Sequence, residues 1–391
     1  MEFGRRLLAE WLLDPEVTYL NHGTVGAPPR RVLEAQRALR EEIERQPACM
    51  LFREVAGMIG AELPEPTRLR AAADAVAEFV GAAGKDLVFV DNATTGVNAV
   101  LRSLDLQAGD EILVTDHAYG GVVRAARHAA RTHGADLRIV ELPFPGASRD
   151  TILQRIAASL GPRTRLALVD HVTSDTALVF PLAEIAAACR ERGVPVLADG
   201  AHGPGQIPLD VPALGVDWYS ADLHKWAFAP RSCGFLWAAP HAQAELHPPV
   251  ISWGLDEGFV SEFRWVGTRD PTAYLAAPEG IAFLRELGEE AVYAHNHELA
   301  VEAARLLAGR LGTELDVDET MIPAMAAVPF PPQLGSTEPE ADRLRDALLF
   351  EDQIEVSVKA HAGRLWTRIC AQVYNELGDY ERLAEAIERR L

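Results

Sequence analysis

From about residue 87 to residue 237, short apolar runs alternate with longer stretches in which apolar residues recur at helical spacing. Leu87-Val88-Phe89-Val90 and Glu111-Ile112-Leu113-Val114-Thr115 have the length and β-branched content of buried strands, as do residues 137–141, 166–170 and 195–199. Residues 216–220 add one more. The segments between them, among them 97–104, the run after Gly120 and 182–192, read as helices. Strands alternating with helices predict an α/β fold on a mainly parallel, doubly wound sheet. Ligands on such sheets gather at the carboxyl ends of the strands. That rule selects residues 92–95, 116–119, 170–174 and 199–202.

Residues 247–271 are rich in Trp, Gly and Pro and read as a connection. Beyond them, 274–287 and 295–311 have the spacing of long helices, residues 323–332, 354–358 and 366–372 read as strands, and 384–391 as part of a closing helix. The expected organisation is an N-terminal arm over 1–18, a large domain over 19–258 and a smaller α+β domain over 259–391.

A chain of 391 residues with 48% hydrophobic content can bury a large core. Its net charge of −20, without any basic run, argues against nucleic acid as a partner. Four widely separated cysteines, Cys49, Cys189, Cys233 and Cys370, form neither a metal-type spacing nor a disulfide framework, which fits a reducing cytoplasm. The N-terminus lacks a secretory apolar core, and no apolar run is long enough to span a bilayer, so no membrane partner is expected.

Lysine is used only three times, at Lys85, Lys225 and Lys359. Lys85 stands in a polar turn and Lys359 in a mixed stretch. Lys225 lies in Leu223-His224-Lys225-Trp226-Ala227-Phe228, among apolar and aromatic residues. Two readings are open: a lysine that snorkels beside aromatics, or a desolvated amine that attacks a carbonyl, a task closed to arginine. Asp199 ends a strand ahead of Gly200-Ala201-His202-Gly203, either as a helix cap or facing a ligand. A lysine and a carboxylate meeting at one sheet edge is what pyridoxal phosphate requires. The lysine holds the aldehyde as a Schiff base, and the carboxylate keeps the ring nitrogen protonated. Asn92-Ala93-Thr94-Thr95-Gly96, between a strand and a helix, offers a phosphate cradle or an ordinary N-cap.

These motifs resemble the class V aminotransferases of pyridoxal-phosphate fold type I. Within them the chain is most similar to the isopenicillin N epimerase-like branch, which overlaps the cysteine desulfurases and C–S lyases. The resemblance runs through Tyr19-Leu20-Asn21-His22-Gly23, the cradle, Asp199-Gly200-Ala201-His202, the lysine segment, Gly267-Thr268-Arg269-Asp270-Pro271 and Arg368-Ile369-Cys370-Ala371-Gln372. It implies Lys225 as the cofactor lysine, Asp199 as partner of the ring nitrogen and His202 near the phenolic oxygen. It also implies Tyr119 stacked on the ring, and Thr94, Thr95, Ser220 and His224 around the phosphate. Gly267 and Thr268 would reach the phosphate across a homodimer interface. Arg368 would bind the substrate's α-carboxylate, with Asn21, His22 and Arg53 at the entrance.

The resemblance fixes the first chemistry and leaves the outcome open. Residues 358–367 contain no cysteine, unlike the loop of persulfide-forming desulfurases, and Cys370 reads as core. Epimerisation needs a second acid, for which His22, His171 and Tyr119 are candidates. Epimerase-like chemistry is the first expectation, with β-elimination by a C–S lyase or transamination as alternatives. A non-catalytic regulator on this fold would lack Lys225 or Asp199, and both are present.

Overall fold

The computed structural model describes residues 3–60 and 62–391. Met1 and Glu2 of the expected arm lie outside the described residues. Seven strands form the main sheet: β1 (Leu87–Val90), β2 (Glu111–Thr115), β3 (Asp136–Val140), β4 (Thr164–Asp170), β5 (Val196–Asp199), β6 (Trp218–Asp222) and β7 (Gly234–Ala238). Their order across the sheet is β1-β7-β6-β5-β4-β2-β3. All neighbours are parallel except β7, which runs antiparallel to both β1 and β6.

Helices cover both faces, and this explains the unbroken apolar runs of the inner strands. Successive residues enter opposite cores. Val196 and Ala198 join the cluster that includes Val76, Ile185 and Tyr274, while Leu197 joins the one that includes Val97, Val122 and Phe263. At the carboxyl end of β1, Asn92 caps the helix Ala93–Ser103 by accepting the Thr95 N–H at 2.9 Å.

A second body holds the antiparallel sheet of β8 (Met325–Pro329), β9 (Ser357–His361) and β10 (Arg364–Cys370), in the order β9-β10-β8. The helices Glu289–Leu311, Glu338–Asp352 and Leu377–Glu388 pack on it around a core that runs from Leu299 to Ile387 and includes Leu20. Residues 259–287, expected with the smaller domain, pack elsewhere: Phe259 and Phe263, then Tyr274 and Ile281, are buried in the two cores of the main sheet. Their aromatic and branched side chains complete that sheet's cover, so the packing boundary falls near Gly288.

The arm binds both bodies. Trp11 is buried against Phe228, Phe283 and Tyr374, and its indole N–H donates to the Ala27 carbonyl at 2.8 Å. Thr18–Tyr19 pairs with Ile354–Glu355 in parallel. Gly26, at φ +67°, lets the chain press on the backbone of His224 and Lys225, where a Cβ would collide.

Candidate active site

The carboxyl ends of β4, β5 and β6, the N-terminus of the helix Ala93–Ser103, residues 21–24 just after the arm and β9–β10 surround one cavity of about 410 Å³. Lys225, Asp199, His202, His224, Thr94, Tyr119, Asn21 and Arg368 line it. Asp170 and Ser174, from the strand end 170–174 that the sequence singled out without assigning roles, line it as well, as do Asp222, Arg345 and Lys359, which the sequence did not mark. Two of the three lysines, Lys225 after β6 and Lys359 on β9, thus reach one cavity.

Lys225 follows β6 in a tight turn. Its Nζ lies 3.1 Å from the Asp222 carboxylate and 3.4 Å from His202 Nε2. The other Asp222 oxygen accepts the Ala93 N–H at 2.7 Å, taking up one of the helix's free donors. The indole N–H of Trp226 points at His202 Nδ1 at 3.4 Å, which leaves Nε2 toward the lysine. Burial first, and the nearby positive charge of Lys225 second, hold the His202 imidazole well below its ordinary value, so it is neutral.

Asp199 ends β5 almost fully buried and accepts the Ala201 N–H at 3.0 Å. Burial pushes its carboxyl up to about 6. Asp170 stands beside it on β4, and burial, followed by the Asp199 charge, lifts its carboxyl well above the usual range.

Arg368, on β10, is 5% exposed. Its guanidinium donates to the Ser174 carbonyl at 3.0 Å, Asn21 Oδ1 at 3.0 Å and Thr24 Oγ1 at 2.6 Å. Its Nε has no partner, and no carboxylate pairs with it among the described residues. A buried guanidinium held by neutral acceptors is set for an anion, because burial of an uncompensated charge is costly.

Several expected ligands lie elsewhere. Ser220 packs under Gly96 and donates to the Ala93 carbonyl at 2.9 Å, so it fixes the helix and does not enter the cavity. Thr95 turns its hydroxyl to Asn92 at 3.1 Å. His22 is fully buried with both nitrogens engaged, by the Tyr374 hydroxyl at 2.8 Å and the Lys225 carbonyl at 2.9 Å. His171 pairs with the Tyr219 hydroxyl at 2.9 Å. Burial holds both imidazoles down to about 4. Arg53 is exposed on the turn Met50–Val55, outside the cavity, as are Gly267 and Thr268. Cys370 is fully buried, takes the Gly23 N–H at 3.3 Å and has its thiol pushed up by burial, so it stays core.

A sheet in this order, with a lysine and a carboxylate at its carboxyl edge and a helix N-terminus beside them, defines the fold type I architecture of pyridoxal-phosphate enzymes. A match to the family described as Aminotransferase class-V covers residues 65–345. The chain belongs to that family, and it is a pyridoxal-phosphate-dependent enzyme. It is 34% identical to the isopenicillin N epimerase of Streptomyces clavuligerus over 395 residues, covering 96% of each chain. It is also 34% identical to a probable chloroplastic L-cysteine desulfhydrase of Arabidopsis thaliana over 403 residues, covering 96% of this chain and 83% of that one. Among solved structures it is similar in fold to a cystine C–S lyase in complex with cysteine persulfide. That likeness has a TM-score of 0.78 at 24% identity and covers 95% of this chain and 97% of the other. An apo cysteine desulfurase of Thermococcus onnurineus superposes with a TM-score of 0.80 at 18% identity, covering 100% of this chain and 98% of the other.

Proposed function

We propose that this enzyme cleaves a β-carbon–sulfur bond in cysteine or a cysteine conjugate, as a C–S lyase. The observation that carries the reading is the placement of the histidines. His22 has both nitrogens bonded, His171 turns its Nδ1 to the Tyr219 hydroxyl, and neither lines the cavity, so neither supplies the second acid that inversion at the α-carbon needs. Lys225 and the neutral His202 form one proton-handling group, and β-elimination asks for no other acid on the opposite face.

The residues present fit the cofactor. Lys225 would hold its aldehyde, Asp199 its ring nitrogen, and His202 its phenolic oxygen. Thr94, His224 and the start of the helix Ala93–Ser103 would hold its phosphate. When bound, the cofactor supplies an electron sink for the bond cleaved at the substrate. Arg368 grips the α-carboxylate with its planar fork and sets the orientation of the α-carbon. Lys225 takes the α-proton as base, held by Asp222 and His202 on the cavity wall. For cysteine the balance is cysteine plus water giving pyruvate, ammonia and hydrogen sulfide.

A second reading, epimerisation, is favoured by Tyr119, which lines the cavity half-exposed and makes no side-chain hydrogen bond among the described residues. One experiment separates the two. The enzyme is incubated in deuterium oxide with cysteine, cystine and cysteine S-conjugates beside neutral amino acids. Pyruvate, ammonia and a sulfur product in equal amounts support the lyase. α-Deuterium with inversion and no pyruvate sinks it in favour of the epimerase. With Lys225→Ala, borohydride should trap no cofactor on the protein; full trapping would remove Lys225 from the role.

The working unit is proposed to be a homodimer in the cytoplasm. Val250, Ile251, Trp253 and Leu255 form an exposed apolar run, with Trp253 80% exposed. Thr268 is exposed nearby in sequence, which suits a loop that reaches the cavity of a second copy. All four cysteines are free, which suits a reducing compartment. No helix among the described residues is long and apolar enough to cross a membrane.

A further inference from the structure

Asp170 and Asp199 are register partners on the adjacent parallel strands β4 and β5. Neighbouring strands lie about 4.8 Å apart, and paired residues point to the same side. Both carboxyl groups line the cavity, and they are 2% and 3% exposed. Asp199 has a partner, the Ala201 N–H at 3.0 Å. The Asp170 Oδ2 is buried with no partner at all. An orphaned buried oxygen at a ligand cavity calls for a proton or a donor.

The charged surroundings favour one negative charge. Asp222 lies near Asp199 and Asp175 near Asp170, and both add negative potential. Lys225 is the positive group that faces Asp199. Backbone N–H groups of Asp170 and Tyr119 face Asp170, while the Tyr219 hydroxyl, bonded to His171, faces Asp199. Two like charges this close in a buried site do not both ionise.

We propose that Asp170 is a positioning residue that stands protonated beside Asp199 and donates its proton to the free Asp199 oxygen. The pair then presents one negative charge to the cofactor's ring nitrogen. The Asp170 hydroxyl keeps Asp199 ionised, and an ionised Asp199 is what holds the ring nitrogen protonated. This rests on the assignment of Asp199 to that nitrogen.

The test uses holoenzyme loaded with cofactor labelled with ¹⁵N at the ring nitrogen. Its resonance is followed against pH, together with the cofactor's dissociation constant. Asp170→Leu removes the donor. The ring nitrogen then loses its proton at lower pH than in wild type, and the cofactor binds about tenfold more weakly, the loss expected for one hydrogen bond to a charged group. Asp170→Asn keeps an N–H donor without charge, and both readouts stay with wild type. Equal losses in Asp170→Asn and Asp170→Leu would mean that Asp170 acts as a charged carboxylate, which overturns the proposal. No change in either variant overturns it too. Should Asp170→Leu not fold, Asp170→Ala takes its place, since it too removes the donor and must show the same losses. Asp199→Asn is the separate check: a ring nitrogen that keeps its proton there would refute the assignment of Asp199 itself, whatever Asp170 does.

Discussion

The Lys225 ammonium and the Ala93 N–H share one carboxylate, that of Asp222, at 3.1 Å and 2.7 Å. A single side chain thereby joins the turn that carries the lysine to the helix that would receive the phosphate. Asp222→Ala leaves a buried N–H without an acceptor and releases the lysine, and should lower stability by about 1–3 kcal/mol in urea unfolding. Asp222→Asn keeps an acceptor and should lose less. Equal losses in the two variants would show that the charge, not the acceptor, is what matters.

Arg368→Ala should raise KM for α-amino acids by about a hundredfold, the loss of a bidentate charged contact, while cofactor binding is retained. Arg368→Lys should recover little, because an ammonium cannot span both carboxylate oxygens. Steady-state kinetics beside a cofactor absorbance titration measures both. A KM equal to wild type in either variant would place the carboxylate elsewhere.

The Asp199 carboxyl is held up at about 6 against 3.8 for an ordinary aspartate. A folded-state value above the unfolded one contributes stability below pH 3.8 that is lost as pH rises through about 6. Above that window the cofactor-free protein carries a penalty on the order of 3 kcal/mol. Cofactor-free Asp199→Asn should therefore be more stable than wild type at pH 7.5, with the advantage shrinking as pH falls toward 4. A variant less stable than wild type at pH 7.5 would contradict this balance. The same variant should bind the cofactor more weakly.

Trp253→Asp places a charge in the exposed apolar run and should shift the protein toward monomer in sedimentation velocity. If the cavity is completed by a second copy, cofactor retention should fall along with the dimer. A variant that sediments like wild type would remove this surface from the interface.

The parallel strands were legible because burial on both faces writes them as unbroken apolar runs, as in Leu87–Val90 and Val196–Asp199. Strand β7 was not named, and no local pattern tells Gly234–Ala238 to run against its neighbours. Lys225 stood out by rarity among apolar residues. Asp222 did not, because Ser220 and Asp222 share one face of β6 and their difference in depth depends on Gly96 packing against Ser220. Asp170 fell within a strand end the sequence singled out, but its pairing with Asp199 was hidden, since that comes from the neighbouring strand. Residues 259–287 pack into the cores of the main sheet, which the sequence could not say, because helical spacing tells which face is apolar and not which core receives it.

The guanidinium of Arg368 is fixed by Asn21 and Thr24 from the segment after the arm and by Ser174 from the turn after β4, while the arginine itself belongs to the second body. The proposed hook for the substrate's carboxylate therefore straddles a seam, and Lys225 lies wholly on one side of it. On the proposed role of Arg368, the orientation of the substrate's α-carbon would follow from how the two bodies dock. Resettling that seam would turn the substrate of the proposed reaction while leaving every side chain of the cavity wall in place.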